Sequence, residues 1–329
     1  MYSGNYIRIH LLSMFGVASA QFALADRLAS RDVHTRACTL FAKAAMTGLP
    51  RAQYRLGRCY LMGLGLPPSI NEAVRWFHRA ARAGDPHACL QLAELALQGV
   101  DDTIEAGLFG GGTAEPDLAR AAHWCRRAVA AGSTEAKALL GFILTNGPDR
   151  NEAVAESLYR DAAAAGSARG QLGLALILLR GGSRAGARQA RFLLRRAAAS
   201  GIAAAHHILG MVAESESDFV AAIDHYRQAA DSGHTQAQVR YGFALLEGRG
   251  TAADAFTAET WLRKAAVAGD TQAAAVLGFL YARGDSLPRI PTEAIAWLER
   301  AARAGHHGAA QALSTLGQAC VPTLAQSNG

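Results

Sequence analysis

The 329-residue chain has no C-x-x-C pair, only three lysines, few aromatics and no apolar run that approaches the ~20 residues of a membrane-spanning helix. Each shortage excludes something. Cys38, Cys59, Cys89, Cys125 and Cys320 are odd in number and irregularly spaced, which argues against a zinc ribbon or a thiol-exchange motif and leaves buried free thiols as the expectation. There is no H-E-x-x-H, no G-x-S-x-G, and no Cys, His and Asp set placed by a motif. Gly110-Gly111-Gly112-Thr113 lacks the lysine that a phosphate-cradling loop requires. The pairs His206-His207 and His306-His307 are adjacent, so on a helix their side chains diverge by about 100° and cannot share one ion as an i, i+4 pair does. They read as ordinary, partly exposed histidines. No catalytic residue, metal site or cofactor is expected.

Lys43, Lys137 and Lys264 are the whole lysine complement, so the net charge of +6, from 33 basic and 27 acidic residues, is carried mainly by arginine. Many arginines fall near the ends of a recurring segment, where they complement the negative pole of a helix. They are not interleaved with base-stacking aromatics, and nucleic-acid binding is not expected. Residues 11–20 followed by Ala23-Leu24-Ala25 imitate a secretory signal with an A-x-A cleavage site, but Arg8 alone makes a weak positive region and the same residues fit the repeat frame below. Residues 1–15 are set apart as an N-terminal segment. The expected location is cytoplasmic, with a secreted or periplasmic one if residues 1–25 act as a signal.

What the chain has in abundance is alanine in a repeating frame. Arg79-Ala80-Ala81-Arg82-Ala83-Gly84 returns in related form seven more times, with closing glycines at Gly48, Gly84, Gly132, Gly166, Gly201, Gly233, Gly269 and Gly305. A period of this size suits a helix-turn-helix unit. Four residues after each glycine stands a small residue, from Ala52 to Ala309, and five further on a second, such as Gly57, Gly141, Gly210, Gly242 and Gly278. The latter are read as places where a neighbouring backbone comes close. Each second helix carries an alanine, as at Ala73, Ala121 and Ala258, with Trp76, Trp124 and Trp261 three places later on the same face. Ser69, Asp117, Asn151, Asp218 and Asp254 precede these alanines by four and are predicted to cap the second helices. The glycine then stops each helix. One spacing is longer than the rest, and the surplus falls within residues 100–116, predicted to be a surface loop.

Residues 52–84 show the unit plainly: Ala52, Leu56-Gly57, Tyr60, Gly63, Gly65, Ala73, Trp76, Arg79-Ala80-Ala81 and Gly84. This resembles the Sel-one-like repeat family, a relative of the tetratricopeptide repeats, with the pattern A-x-x-x-L-G-x-x-Y-x-x-G-x-G and then A-x-x-W-x-x-K-A-A-x-x-G. The resemblance covers residues 16–319 and implies an all-α fold, a right-handed superhelical solenoid of antiparallel helix pairs. About eight repeats and a final capping helix would be followed by a tail at 320–329. The resemblance also implies a non-enzymatic scaffold or adaptor for a protein or peptide partner, often in bacterial signalling, envelope or host-interaction settings. Cysteine-rich members staple adjacent units with cysteines at the positions of Cys89 and Ala81, so that pairing is absent here. A hydrolase with a convergent site, and a secreted regulator, stay open as alternatives.

In the related arrays partners lie in a groove lined by the first helix of each unit. Carried over, the lining positions are Tyr54 and Arg58, Leu90 and Glu94, Phe142, Leu172 and Leu176, His207 and Met211, Val239 and Phe243, and Phe279. Members of a pair are four apart and share a helical face. Along the chain the later member changes from charged to apolar. Two roles remain open for Phe142, Phe243 and Phe279: a hydrophobic peptide groove, or burial against adjacent first helices.

Overall fold

The computed structural model describes residues 3–100 and 115–319, and every regular element among them is an α-helix. The helices form two compact units that divide between Ile177 and Leu178. The first holds α1 (Ser3–Met14), α2 (Ala18–Ala29), α3 (His34–Met46), α4 (Pro50–Met62), α5 (Ile70–Arg82), α6 (Pro86–Leu97), α7 (Leu118–Ala130), α8 (Thr134–Asn146), α9 (Glu152–Ala164) and most of α10 (Ala168–Arg180). The second holds α11 (Arg184–Ala199), α12 (Ala203–Ser215), α13 (Phe219–Asp231), α14 (Thr235–Glu247), α15 (Ala255–Val267), α16 (Thr271–Arg283), α17 (Pro291–Arg303) and α18 (His307–Ala319). This is the all-α array of helix pairs that the frame predicts.

All five predicted caps form. The side chains of Ser69, Asp117, Asn151, Asp218 and Asp254 accept from the amides three residues on, at 2.8 to 3.3 Å. The first helices have caps as well, which the frame did not single out: Asp85, Ser133, His234 and Asp270 accept from Ala88, Ala136, Ala237 and Ala273. Asp85 serves both neighbours, because its own N–H donates to Ala80 O of the preceding helix at 3.0 Å, closing a Schellman turn through Gly84 at φ +83°. One residue thus ends one helix and starts the next, and the junction between repeats is short and rigid.

In seven of the pairs the longer connection is fixed differently. The N–H that opens the second helix donates to the carbonyl three places after the second small residue: Val33 to Leu28, Ser69 to Tyr60, Asn151 to Leu144, Asp218 to Ala213, Asp254 to Leu245 and Ile290 to Tyr281, all 2.9 to 3.1 Å. Asp117 donates to Ala96 at 2.9 Å in the same way. Residues 101–114 of the predicted loop lie outside the described residues, as does the tail at 320–329, but the helices flanking that loop meet at the anchor the other pairs use.

The second small positions do more than the job read in the sequence. A Cβ built on Gly57 would stand 2.6 Å from Phe77 Cε1, on Gly210 2.5 Å from Tyr226 Cε1, and on Gly278 2.6 Å from Leu298 Cγ. What presses closest on these glycines is a large side chain from the partner helix of the same pair, and the backbone of that helix follows at Gly57 and Gly278, with Ala73 O at 3.2 Å and Leu298 N at 3.1 Å. Phe77, Leu262 and Leu298 are fully buried there, so in the five pairs with glycine at this position the core is built from a bulky residue seated on that glycine.

The arginines also reach further than expected. Arg127 lies over the Trp124 ring at 5.0 Å and donates to Ala81 O of α5 at 2.9 Å; Arg300 lies over Trp297 at 5.7 Å and donates to Val267 O of α15 at 3.1 Å. They therefore satisfy carbonyls at the C-terminal end of the preceding second helix, while the tryptophan holds the guanidinium in place.

Candidate peptide-binding groove

The predicted lining residues divide by depth and by unit. In the second unit His207, Met211, Val239 and Phe243 come together on the wall of a cavity of about 540 Å³. His207 and Val239 are buried and form its floor, whereas Met211 is 43% exposed. Phe243 and Phe279 are half-buried against the core cluster containing Leu262 and Leu277. In the first unit Phe142 and Leu176 are exposed, at 48% and 41%, and Leu90 and Leu172 are half-buried. Tyr54 is half-buried, stacked on His87 with ring centroids 5.5 Å apart. The row is uneven in exposure: Phe142, Leu176 and Met211 stand open, while Phe243 and Phe279 lean on the core.

Of the charged members, Glu94 is already engaged. Glu94 accepts from Gln91 Nε2 at 3.0 Å and from Arg169 at 3.4 Å. Arg58 borders a smaller cavity of about 250 Å³ with Asp26, Arg55, Cys38 and Cys59, and Arg55 is ion-paired with Asp26.

The larger cavity has a polar edge that the sequence reading missed. Tyr226 Oη donates to Glu214 at 2.6 Å, and Arg249 and Arg240 flank the same carboxylate at 3.4 and 3.7 Å. Burial, followed by the hydrogen bond to Glu214, raises the Tyr226 phenol well above its usual range, so it stays a donor. Burial also holds the His207 imidazole down to about 4, with His234 and Arg240 adding to the effect. Near neutral pH His207 is therefore an uncharged ring, stacked on His234 at 4.7 Å. One signal for Arg249 existed: it stands between Gly248 and Gly250, the counterparts of Gly63 and Gly65. A Cβ on Gly250 would lie 2.2 Å from Phe219 O, so this turn rests directly on the start of α13 and turns Arg249 over the Phe219 ring, at 5.9 Å. Glu214 follows His207 by seven and Met211 by three, so it shares their face of α12 and the row could have been extended to it, whereas Tyr226 and Phe219 come from α13, which no spacing joins to the row.

His206 and His207 part company, as adjacent helical residues must. His206 Nδ1 meets His225 Nδ1 at 3.3 Å, while His207 faces His234 and Tyr226. The expectation of partly exposed rings fails for His207, which the α13 and α14 side chains enclose to 8% exposure. Among the described residues no three His, Cys, Asp or Glu side chains converge as metal ligands do, and no helix is long and apolar enough to cross a membrane.

Comparison with known proteins agrees with this architecture. The Sel1 repeat family model matches residues 50–85, 86–133, 134–167, 168–202, 204–234, 235–270 and 271–306. A crystal structure of c5321, described as a protective antigen of uropathogenic Escherichia coli with an SLR fold, is similar with a TM-score of 0.72 and 26% identity, over 95% of this chain and 67% of that one. A Sel1 repeat protein from Oxalobacter formigenes gives a TM-score of 0.64 at 28% identity, over 96% and 92%. The Neisseria meningitidis serogroup B protein NMB1327 is 28% identical over 271 residues, 65% of this chain and 50% of its own length. The chain thus spans half of that relative.

Proposed function

The chain belongs to the Sel1 repeat family, a solenoid fold that typically mediates protein interactions, and from that premise we propose that it is a non-enzymatic scaffold gripping a partner segment through its first helices. The observation that carries this reading is the gathering of His207, Met211, Val239 and Phe243, residues from one repeat position, into the wall of a single cavity. Its floor is apolar and uncharged, and its edge holds Glu214, Arg240 and Arg249 in mutual pairing. A segment presenting one aliphatic or aromatic side chain matches it: the side chain fills the cavity and the flanking backbone meets the polar edge. The likeness to an Escherichia coli antigen supports an envelope or host-facing setting.

The test starts from peptides selected on the full chain from a displayed library, followed by calorimetric titration. Phe243→Glu and Met211→Glu should each weaken the selected peptide by about ten-fold or more, since a desolvated anchor contributes ~2 kcal/mol. Met211 is open enough that its variant should melt with the parent. If both variants keep the parent affinity, or if the peptides map to the second helices, the reading is wrong.

A further inference from the structure

Among the described residues four cysteines are buried and free, and one pair of them meets. Cys38 on α3 and Cys59 on α4 belong to one buried cluster and line the same cavity of about 250 Å³, where Cys38 Sγ donates to Leu64 O at 2.8 Å, and the two thiols are near enough to perturb each other's ionisation. The two helices belong to consecutive repeats, so the thiols face each other across a repeat junction. At the next junction the equivalent positions are Val74 and Leu95, both buried, which shows that packing there does not need sulfur. Cys89 and Cys125 are buried as well, and neither borders this cavity.

We propose that Cys38 and Cys59 are a modification site, a dithiol that closes to an intrachain disulfide and staples one repeat to the next. The cavity is what gives a reagent access to sulfurs otherwise sealed in the core. Asp26, His34, Arg55 and Arg58 also border it; Arg55 is paired with Asp26, and the Arg58 guanidinium favours an anionic oxidant such as a glutathione-type disulfide. In the first step one cysteine, as thiolate, attacks a sulfur of the reagent; the reagent S–S bond breaks and one small thiol leaves. The second cysteine then attacks the protein sulfur of that mixed disulfide, forming the Cys38–Cys59 bond and expelling the second small thiol. Both protein hydrogens end on the two reagent thiols, and the two cysteines are oxidised as the reagent is reduced. Burial raises both thiols, Cys59 to about 12 against the lowering pull of Arg55 and Arg58, so thiolate is scarce and closure is slow at neutral pH and quickens as pH rises. Once closed, the bond holds α3 to α4 and blocks unfolding from propagating across that junction, where an array otherwise separates unit by unit.

The experiment treats the full reduced chain with a glutathione redox series at mildly alkaline pH, then counts thiols by alkylation in denaturant and maps tryptic peptides without reduction. Two of the five thiols should be lost, with peptide 37–43 joined to peptide 59–75. Cys38→Val and Cys59→Leu, which install the side chains of the next junction, should fold and abolish the cross-link. The oxidised parent should melt higher than the reduced parent, and the Cys38→Val variant should show no such difference. Retention of all five thiols at the oxidising end of the series, or oxidation that maps to Cys89, Cys125, Cys320 or a second chain, would overturn the proposal.

Discussion

Gly173 lies in α10, two residues before Ala175, and the repeat frame assigns it no role. Replacing it with alanine places a Cβ 2.1 Å from Tyr159 Cε1 and 2.4 Å from both Cδ1 and Cζ. The ring has no easy retreat. Tyr159 is only 5% exposed, and a Cβ on Gly141 of α8 would already stand 2.9 Å from the same Cε1. Two opposing effects then decide the sign. Alanine in a helix interior gains about 1 kcal/mol over glycine, whereas overpacking a filled core costs typically ~1–3 kcal/mol. An overlap this deep belongs at the upper end of that range, so Gly173→Ala should destabilise by about 2 kcal/mol net. Removing the ring removes the penalty: in a Tyr159→Ala background the same change should stabilise by about 1 kcal/mol, a coupling of roughly 3 kcal/mol. Urea unfolding followed by far-ultraviolet circular dichroism on the four proteins of the cycle measures it, read at the midpoint of the same transition. Equal effects of Gly173→Ala in the two backgrounds, or a gain in the parent, would refute the steric argument.

Acidification should weaken the second unit through His207: its folded pKa, about 4, lies below the free value of 6.5, so its contribution is complete above 6.5 and is lost as pH falls towards 4. Between about pH 7 and pH 4.5 the loss should reach about 2 kcal/mol, and His207→Gln should reduce that dependence in denaturant titrations at both pH values; identical slopes in parent and variant would sink the account. Trimming residues 103–112 should cost little, since Asp117 closes onto Ala96 and loop length enters only logarithmically; a large drop in melting temperature would count against that anchor. Deleting residues 49–84 removes one period from one closing glycine to the next and should leave a cooperative helical melt, whereas deleting only residues 49–66 should abolish it, both read by circular dichroism.

Much of this molecule was legible in its residues because a repeat array makes its rules local. The closing glycines are needed wherever a helix must end in a left-handed turn, and Ser69, Asp117, Asn151, Asp218 and Asp254 had to cap whatever helix followed them. Periodicity therefore yielded the helix pairs, their starts and stops, and the face that carries Met211 and Phe243. Those facts depend on neighbours a few positions away along the chain. Others depend on what lies across a helix interface, which no spacing encodes. The structure alone showed that Phe77 and Tyr226 press on Gly57 and Gly210, that Arg127 reaches the carbonyl of Ala81, and that Tyr226 and Arg249 close the edge of a cavity begun by His207. It also separated the apolar row into open and half-buried members, because the exposure of Phe142 or Phe243 is set by how closely the adjacent helices pack there rather than by the residue at that position. The meeting of Cys38 and Cys59 belongs with these: two unremarkable positions in sequence become one site when α4 packs against α3.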